Sequence, residues 1–340
     1  MTHANAIRHP ARRQSMWQGG SDWRRPLHPA LLSVLLVLGG CAAGKTAHAP
    51  VAFESHPWTF RDQRGARLIS EHYDIFTTIR DPQLVRLLPE LMETAFSHYQ
   101  QRVPPGKQPT ERMQVYLFAT RAEWADFTRR FTGPRASIFL KVRNGGYSER
   151  GVSVIEYTRH QTTFPLMTHE GFHQYLYHYV NDQVPAWLNE GLAVMFEGQR
   201  WIGSGAPVFD PHYNPARHNA LAEAVLADKL FPLRELLDTH AGNVIEHSSR
   251  TVATYYAQVW ALVLFLEQGA GGKYAAGFHR MCDQLRSRDI EQFARASFIW
   301  SPRTRYSFGE ALFRTFITDD VAQAEQEYRA FLRQRFVAGR

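Results

Sequence analysis

Two histidines four residues apart, with a glutamate directly after the first, stand in the stretch MTHEGFHQYLYHYV at residues 167–180. On a helix, positions i and i+4 share a face, so His169 and His173 turn both imidazoles to one side. Glu170 leaves from the next position at the same end. Two imidazoles suit a metal such as zinc, and a carboxylate beside them can take a proton from water. The alternative for these five residues alone is an aromatic helix with two hydrogen-bonded core histidines. A catalytic zinc needs a third protein ligand and keeps a fourth position open. VPAWLNEGLAVMFEG, at 184–198, offers Glu190, 17 positions after His173. A loop around 181–183 with Pro185 lets a second helix run back past the first, so that Glu190 completes a His, His, Glu set. Glu197, two turns further along that face, is placed to accept a hydrogen bond from a ligand imidazole and fix its tautomer.

The elements that must position these groups change character along the chain. HYDIFTTI (72–79), MQVYLFA (113–119), ASIFLKV (136–142) and GVSVIEY (151–157) are rich in β-branched and aromatic residues and read as strands. Two helices lie among them. One spans 81–103, with Asp81 as N-cap and Pro82 in its first turn; the other spans 120–131, with Thr120 and Glu123 as a capping box. From Pro165 onward the pattern is helical, over 166–180, 186–197, 216–228, 250–268, 272–286, 288–297, 307–315 and 320–336. The fold class is therefore α+β: a small mixed-sheet lobe at 61–165, then a mainly helical lobe at 166–340 that opens on the histidine pair.

The 340 residues are 44% hydrophobic and 13% aromatic, enough for a substantial core. Of the net charge of +7, the first 40 residues carry +4, so the basic balance is partly a feature of the N-terminus. No basic stripe alternates with aromatics, and no nucleic-acid partner is expected. HPALLSVLLVLGGCAAG (28–44) follows Arg24 and Arg25 with an apolar run too short to span a bilayer. Leu38-Gly39-Gly40-Cys41 resembles the lipobox of bacterial lipoproteins. That resemblance implies a signal peptide at 1–40, a lipidated Cys41, a flexible tether at 41–60 and a place on the periplasmic side of the outer membrane. Cys282 is the other cysteine and reads as a buried apolar residue. Asp210, His212 and His218 in DPHYNPARH are weighed as a second metal site, but the prolines favour a loop rimming the cleft.

HEGFH followed by WLNEGLA resembles the gluzincin clan of zinc metallopeptidases, the thermolysin and aminopeptidase-type group. More narrowly it is similar to the peptidase-MA-like domains of bacterial lipoproteins, over roughly residues 70–335. The resemblance implies a zinc site between the two lobes, with His169, His173 and Glu190 as ligands. It implies that Glu170 activates a zinc-bound water for hydrolysis of peptide bonds in a peptide or protein substrate. It also implies a tyrosine that stabilises the oxyanion. Tyr255 and Tyr256 lie 65 and 66 positions after Glu190; they point about 100° apart on a helix, and Tyr256 in YAQ fits better. In this clan the strand before the zinc helix is often a sheet edge that pairs with substrate, which makes 151–157 the candidate. Aminopeptidase activity is not implied. The competing readings are a non-catalytic binder of peptide or cell-wall material on the same scaffold and a zinc hydrolase of non-peptide amides.

Overall fold

Hairpin pairing begins earlier in the chain than its composition suggests. β1 (Glu54–Phe60) and β2 (Gln63–Ile69) run antiparallel with Trp58 opposite Gly65, so the last seven residues of the expected tether are a strand. In this computed structural model the described residues are 50–142, 145–180, 183–201, 207–239, 248–287, 290 and 306–338. The expected signal peptide, Cys41 and all but Ile290 of the helix expected at 288–297 lie outside them. The described residues belong to one compact unit.

β3 (Tyr73–Thr77) pairs antiparallel with β2 and parallel with β4 (Met113–Phe118). Parallel neighbours need a crossover, and α1 (Pro82–Arg102) supplies it. Asp81 caps that helix through Gln83 N (2.9 Å) and Leu84 N (3.4 Å). α2 (Arg121–Thr132), capped by Thr120, crosses from β4 towards β6 (Val152–Glu156), which is parallel to β4. β5 (Gly146–Glu149) adds antiparallel to β6 and gives the order β1-β2-β3-β4-β6-β5.

That order corrects two expectations. β6 is paired on both sides and cannot be the open edge; the edge on that side is β5. Residues 136–142 are not a strand but open with a short helix, α3 (Ala136–Phe139). The carbonyls of Leu140 and Val142 take their hydrogen bonds from the Arg121 guanidinium, at 3.0 and 2.8 Å, in place of a strand ladder. The same guanidinium lies 4.0 Å over the Trp124 ring.

α4 (His160–Tyr179) starts five residues before Pro165 and carries that proline inside it. The expected junction at 165/166 therefore falls within a helix. α4 packs against β5, β6 and α1. Gly171 allows the close approach to α1, since a Cβ there would sit 2.8 Å from Met92 Cε and from the Tyr99 hydroxyl. Tyr99 donates a 2.5 Å hydrogen bond to the Thr168 carbonyl, registering the two helices at the histidine pair.

α5 (Ala186–Val194) follows, then a two-stranded ladder of β7 (Gln199–Trp201) and β8 (Pro207–Phe209) that the sequence reading lacks. α6 (Pro215–Leu226), α7 (Leu233–Asp238) and α8 (Ser249–Gln268) complete the surroundings of the histidines. Every residue of α8 from Ala257 to Leu266 is buried. A helix that is covered all round must lie at the centre of its neighbours, and α5 and α6 pack on it. Helices Ala275–Leu285, Phe308–Phe316 and Val321–Phe336 close the described chain.

Candidate metal centre

α4 and α5 bring together the three side chains that the sequence singles out as ligands. The rings of His169 and His173 lie one turn apart with centroids 4.9 Å from each other. Glu190 Oε2 stands 3.2 Å from His169 Nε2 and 3.5 Å from His173 Nε2. One ligand atom from each residue lies within 4.8 Å of the other two, so the set could hold a metal ion.

The far nitrogen of each imidazole is occupied. His169 Nδ1 is 3.0 Å from Glu197 Oε1, and His173 Nδ1 is 2.8 Å from Asn189 Oδ1. Both partners are acceptors, so both Nδ1 atoms must carry hydrogen. In its neutral form each imidazole then presents a lone pair at Nε2, towards Glu190. Glu190 Oε2 is buried and receives no hydrogen bond. Three lone pairs converging in a buried place repel one another unless a cation or an extra proton lies between them. Without metal the extra proton serves: burial disfavours a charged His169, but Glu190 and Glu197 outweigh it and raise its pKa to about 10. Burial likewise opposes charge on Glu190, and the two histidines more than reverse that, holding it well below the usual carboxylate range. The same three donor atoms could hold a metal ion in place of that proton.

Glu170 is buried, which raises its pKa against the pull of His173 and His169. A carboxyl raised in this way suits a group that accepts and returns a proton. Tyr256 and Tyr255 part company on α8. The Tyr256 ring lies 6.0 Å from the His169 ring, and its hydroxyl is kept protonated by burial and by Glu190 and Glu170. Tyr255 is fully buried and donates to the Thr239 carbonyl at 3.3 Å.

Glu197 is held by more than His169. Asn214 Nδ2 donates to Oε2 at 2.8 Å, and Arg217 donates to both oxygens, Nε to Oε2 at 2.9 Å and Nη2 to Oε1 at 2.7 Å. Burial would raise this carboxyl, but Arg217 and His169 bring it down to about 2. Asn189, Asn214 and Arg217 were not anticipated from the sequence. Asn189 is adjacent to Glu190 in WLNEG, and Asn214-Pro215 is a helix-start signal; neither spacing discloses a partner.

The remaining candidates lie elsewhere. Asp210 pairs with Arg200 at 3.0 Å, His212 sits between Gln268 and Arg335, and His218 packs on Phe336. His178 Nε2 donates to the Gly151 carbonyl at 2.9 Å. Cys282 is buried, which pushes its thiol up to about 12. Among the described residues, His169, His173 and Glu190 are the only such cluster. No protein-family model matches the chain, and no curated protein matches it.

Proposed function

We propose that the chain is a zinc-dependent metallopeptidase of gluzincin type. The single observation that carries this reading is the convergence of both imidazole Nε2 atoms on one buried carboxylate oxygen, with each Nδ1 held from behind by an acceptor. The proposed architecture is thermolysin-like, with the sheet and α4 on one side of the centre and α5 and α8 on the other.

His169, His173 and Glu190 would hold the ion. Bound zinc supplies Lewis acidity, which eases deprotonation of water and polarises a carbonyl. The Glu170 carboxylate takes the proton from the attacking water and returns it to the leaving nitrogen. The neutral Tyr256 hydroxyl donates to the oxygen that becomes negative at the tetrahedral centre. β5, the outermost strand beyond β6 among the described residues, would pair with an extended peptide. Export and a lipid anchor at Cys41 belong to the same proposal and are supported by the lipobox-like stretch alone; a Cys41→Ala variant is expected to lose labelling by a fatty-acid analogue.

Elemental analysis of the purified chain tests the metal, and a peptide-library digest tests the reaction. About one zinc per chain is expected, with zinc retained and cleavage lost in Glu170→Gln. No zinc after dialysis against the metal overturns the reading. Zinc without cleavage in either protein favours the non-catalytic binder.

A further inference from the structure

The segment DPHYNPARH (210–218) holds no metal cluster among the described residues. Its Asn214 and Arg217 instead reach the metal centre from behind. Asn214 Oδ1 accepts from Arg217 N at 3.2 Å and caps α6, while its Nδ2 is left to donate to Glu197. The cap sets Arg217 in the first turn, facing the same carboxylate. Glu197 then receives four donors, two on each oxygen: His169 Nδ1 and Arg217 Nη2 on Oε1, Asn214 Nδ2 and Arg217 Nε on Oε2. A carboxylate engaged on every side cannot rotate, so its Oε1 stays in the plane that His169 needs. The guanidinium carbon of Arg217 lies 4.9 Å over the centre of the Tyr256 ring, and that ring lies 6.0 Å from the His169 ring.

We propose that Arg217 is a positioning residue of the metal centre. Through Glu197 it keeps His169 turned with Nε2 towards Glu190. Through its guanidinium, seated over the ring, it keeps Tyr256 beside His169. The inference rests on the metal reading above. Its rival is an ion pair that merely ties α6 to the chain after α5. Geometry separates the two, because an ion pair needs charge alone, whereas positioning needs the fork and the plane.

The test uses the full chain with Arg217→Gln and Arg217→Lys. Zinc affinity is measured against a competing chelator, and the visible absorption spectrum is recorded after loading with cobalt(II), which reports ligand geometry. Arg217→Gln is expected to bind zinc about ten-fold or more weakly than the parent, with a displaced cobalt band. Arg217→Lys, which keeps the charge but offers one contact point, is expected to fall between the two in both readouts. If Arg217→Gln does not fold, Arg217→Lys decides by itself. A folded Arg217→Lys with parental affinity and spectrum overturns the positioning role, and so does a folded Arg217→Gln with both unchanged, whatever happens to its melting temperature. A parent that takes up no zinc overturns the metal reading as well, which distinguishes the two failures.

Discussion

Two clusters in this molecule pair a histidine with a buried or nearly buried glutamate, and they end differently. At the start of β3, Glu93 Oε1 accepts from Ser70 Oγ at 2.6 Å and from His72 N at 2.8 Å, while Oε2 is 2.7 Å from His72 Nδ1. The His72 ring stacks on Phe96 at 3.8 Å. Both carboxylate oxygens have donors, so the cluster is complete as it stands. At the candidate metal centre the outer shell is equally complete around Glu197, but on the inner face Glu190 Oε2 meets the Nε2 atoms of both imidazoles, a set that needs an added proton or a cation between its members. A closed network ties elements together; one whose inner face converges three ligand atoms could hold an ion as well.

Removing a carboxylate from each side gives the sharpest contrast. Glu190→Ala is expected to weaken zinc binding by more than about 100-fold in a chelator titration, beyond the loss typical of residues behind the ligands. Glu93→Ala is expected to leave zinc affinity unchanged. It costs about 2 kcal/mol of stability instead, read from denaturant unfolding, because it strips partners from His72 and Ser70. Equal zinc loss in both variants would erase the distinction.

Catalysis sharpens it further. Glu170→Gln is expected to lower peptide cleavage by about 10²- to 10⁴-fold at unchanged zinc content. Tyr256→Phe is expected to cost about 10²-fold in kcat, whereas Tyr255→Phe, which loses only the Thr239 contact, shows near-parental turnover. Equal losses in the two tyrosine variants would count against Tyr256 as the oxyanion donor.

The smallest effect is in pH. Glu190 and Glu197 raise the His169 pKa to about 10 against the cost of burial, so under the proposed function zinc would displace a proton. Zinc affinity is expected to fall about tenfold for each unit between pH 9 and pH 7, read by competition titration. The metal-free protein runs the other way: its raised His169 pKa contributes stability below the unfolded value of about 6.5, lost as pH rises towards 10. Glu93 behaves oppositely again. Burial would raise it, but His72 and Ser70 hold it below its ordinary value, so its contribution is present above that value and fades as pH falls through the lowered one. A zinc affinity flat from pH 7 to 9 would deny that His169 carries the displaced proton.

What the sequence disclosed was what is local or periodic. His169 and His173 need only a helix to share a face, and Asp81-Pro82 states a helix start in two letters. Glu190 came within reach through one turn and one helix. ESHPWTF follows small residues and carries a proline, so β1 has the pattern of a tether. Strand order depends on contacts between distant segments, so the β6 sequence does not disclose that β5 covers it. The grip of Asn214 and Arg217 on Glu197 spans 17 and 20 residues across a turn and a small ladder, and no periodicity encodes that.

The two outer strands of the large sheet are not equivalent. β1 carries Pro57 in its middle, so that side lacks one backbone donor for any added strand. β5 has no proline and only four residues, about 13 Å of extended chain. A polypeptide laid along it meets a ruler four residues long, with alternate residues facing outward to pair. A helix or a tight turn cannot lie along such a ruler. Under the proposed function, the choice of cleavage sites is therefore set by which stretches of a protein are already unfolded over that length, before any side chain is consulted.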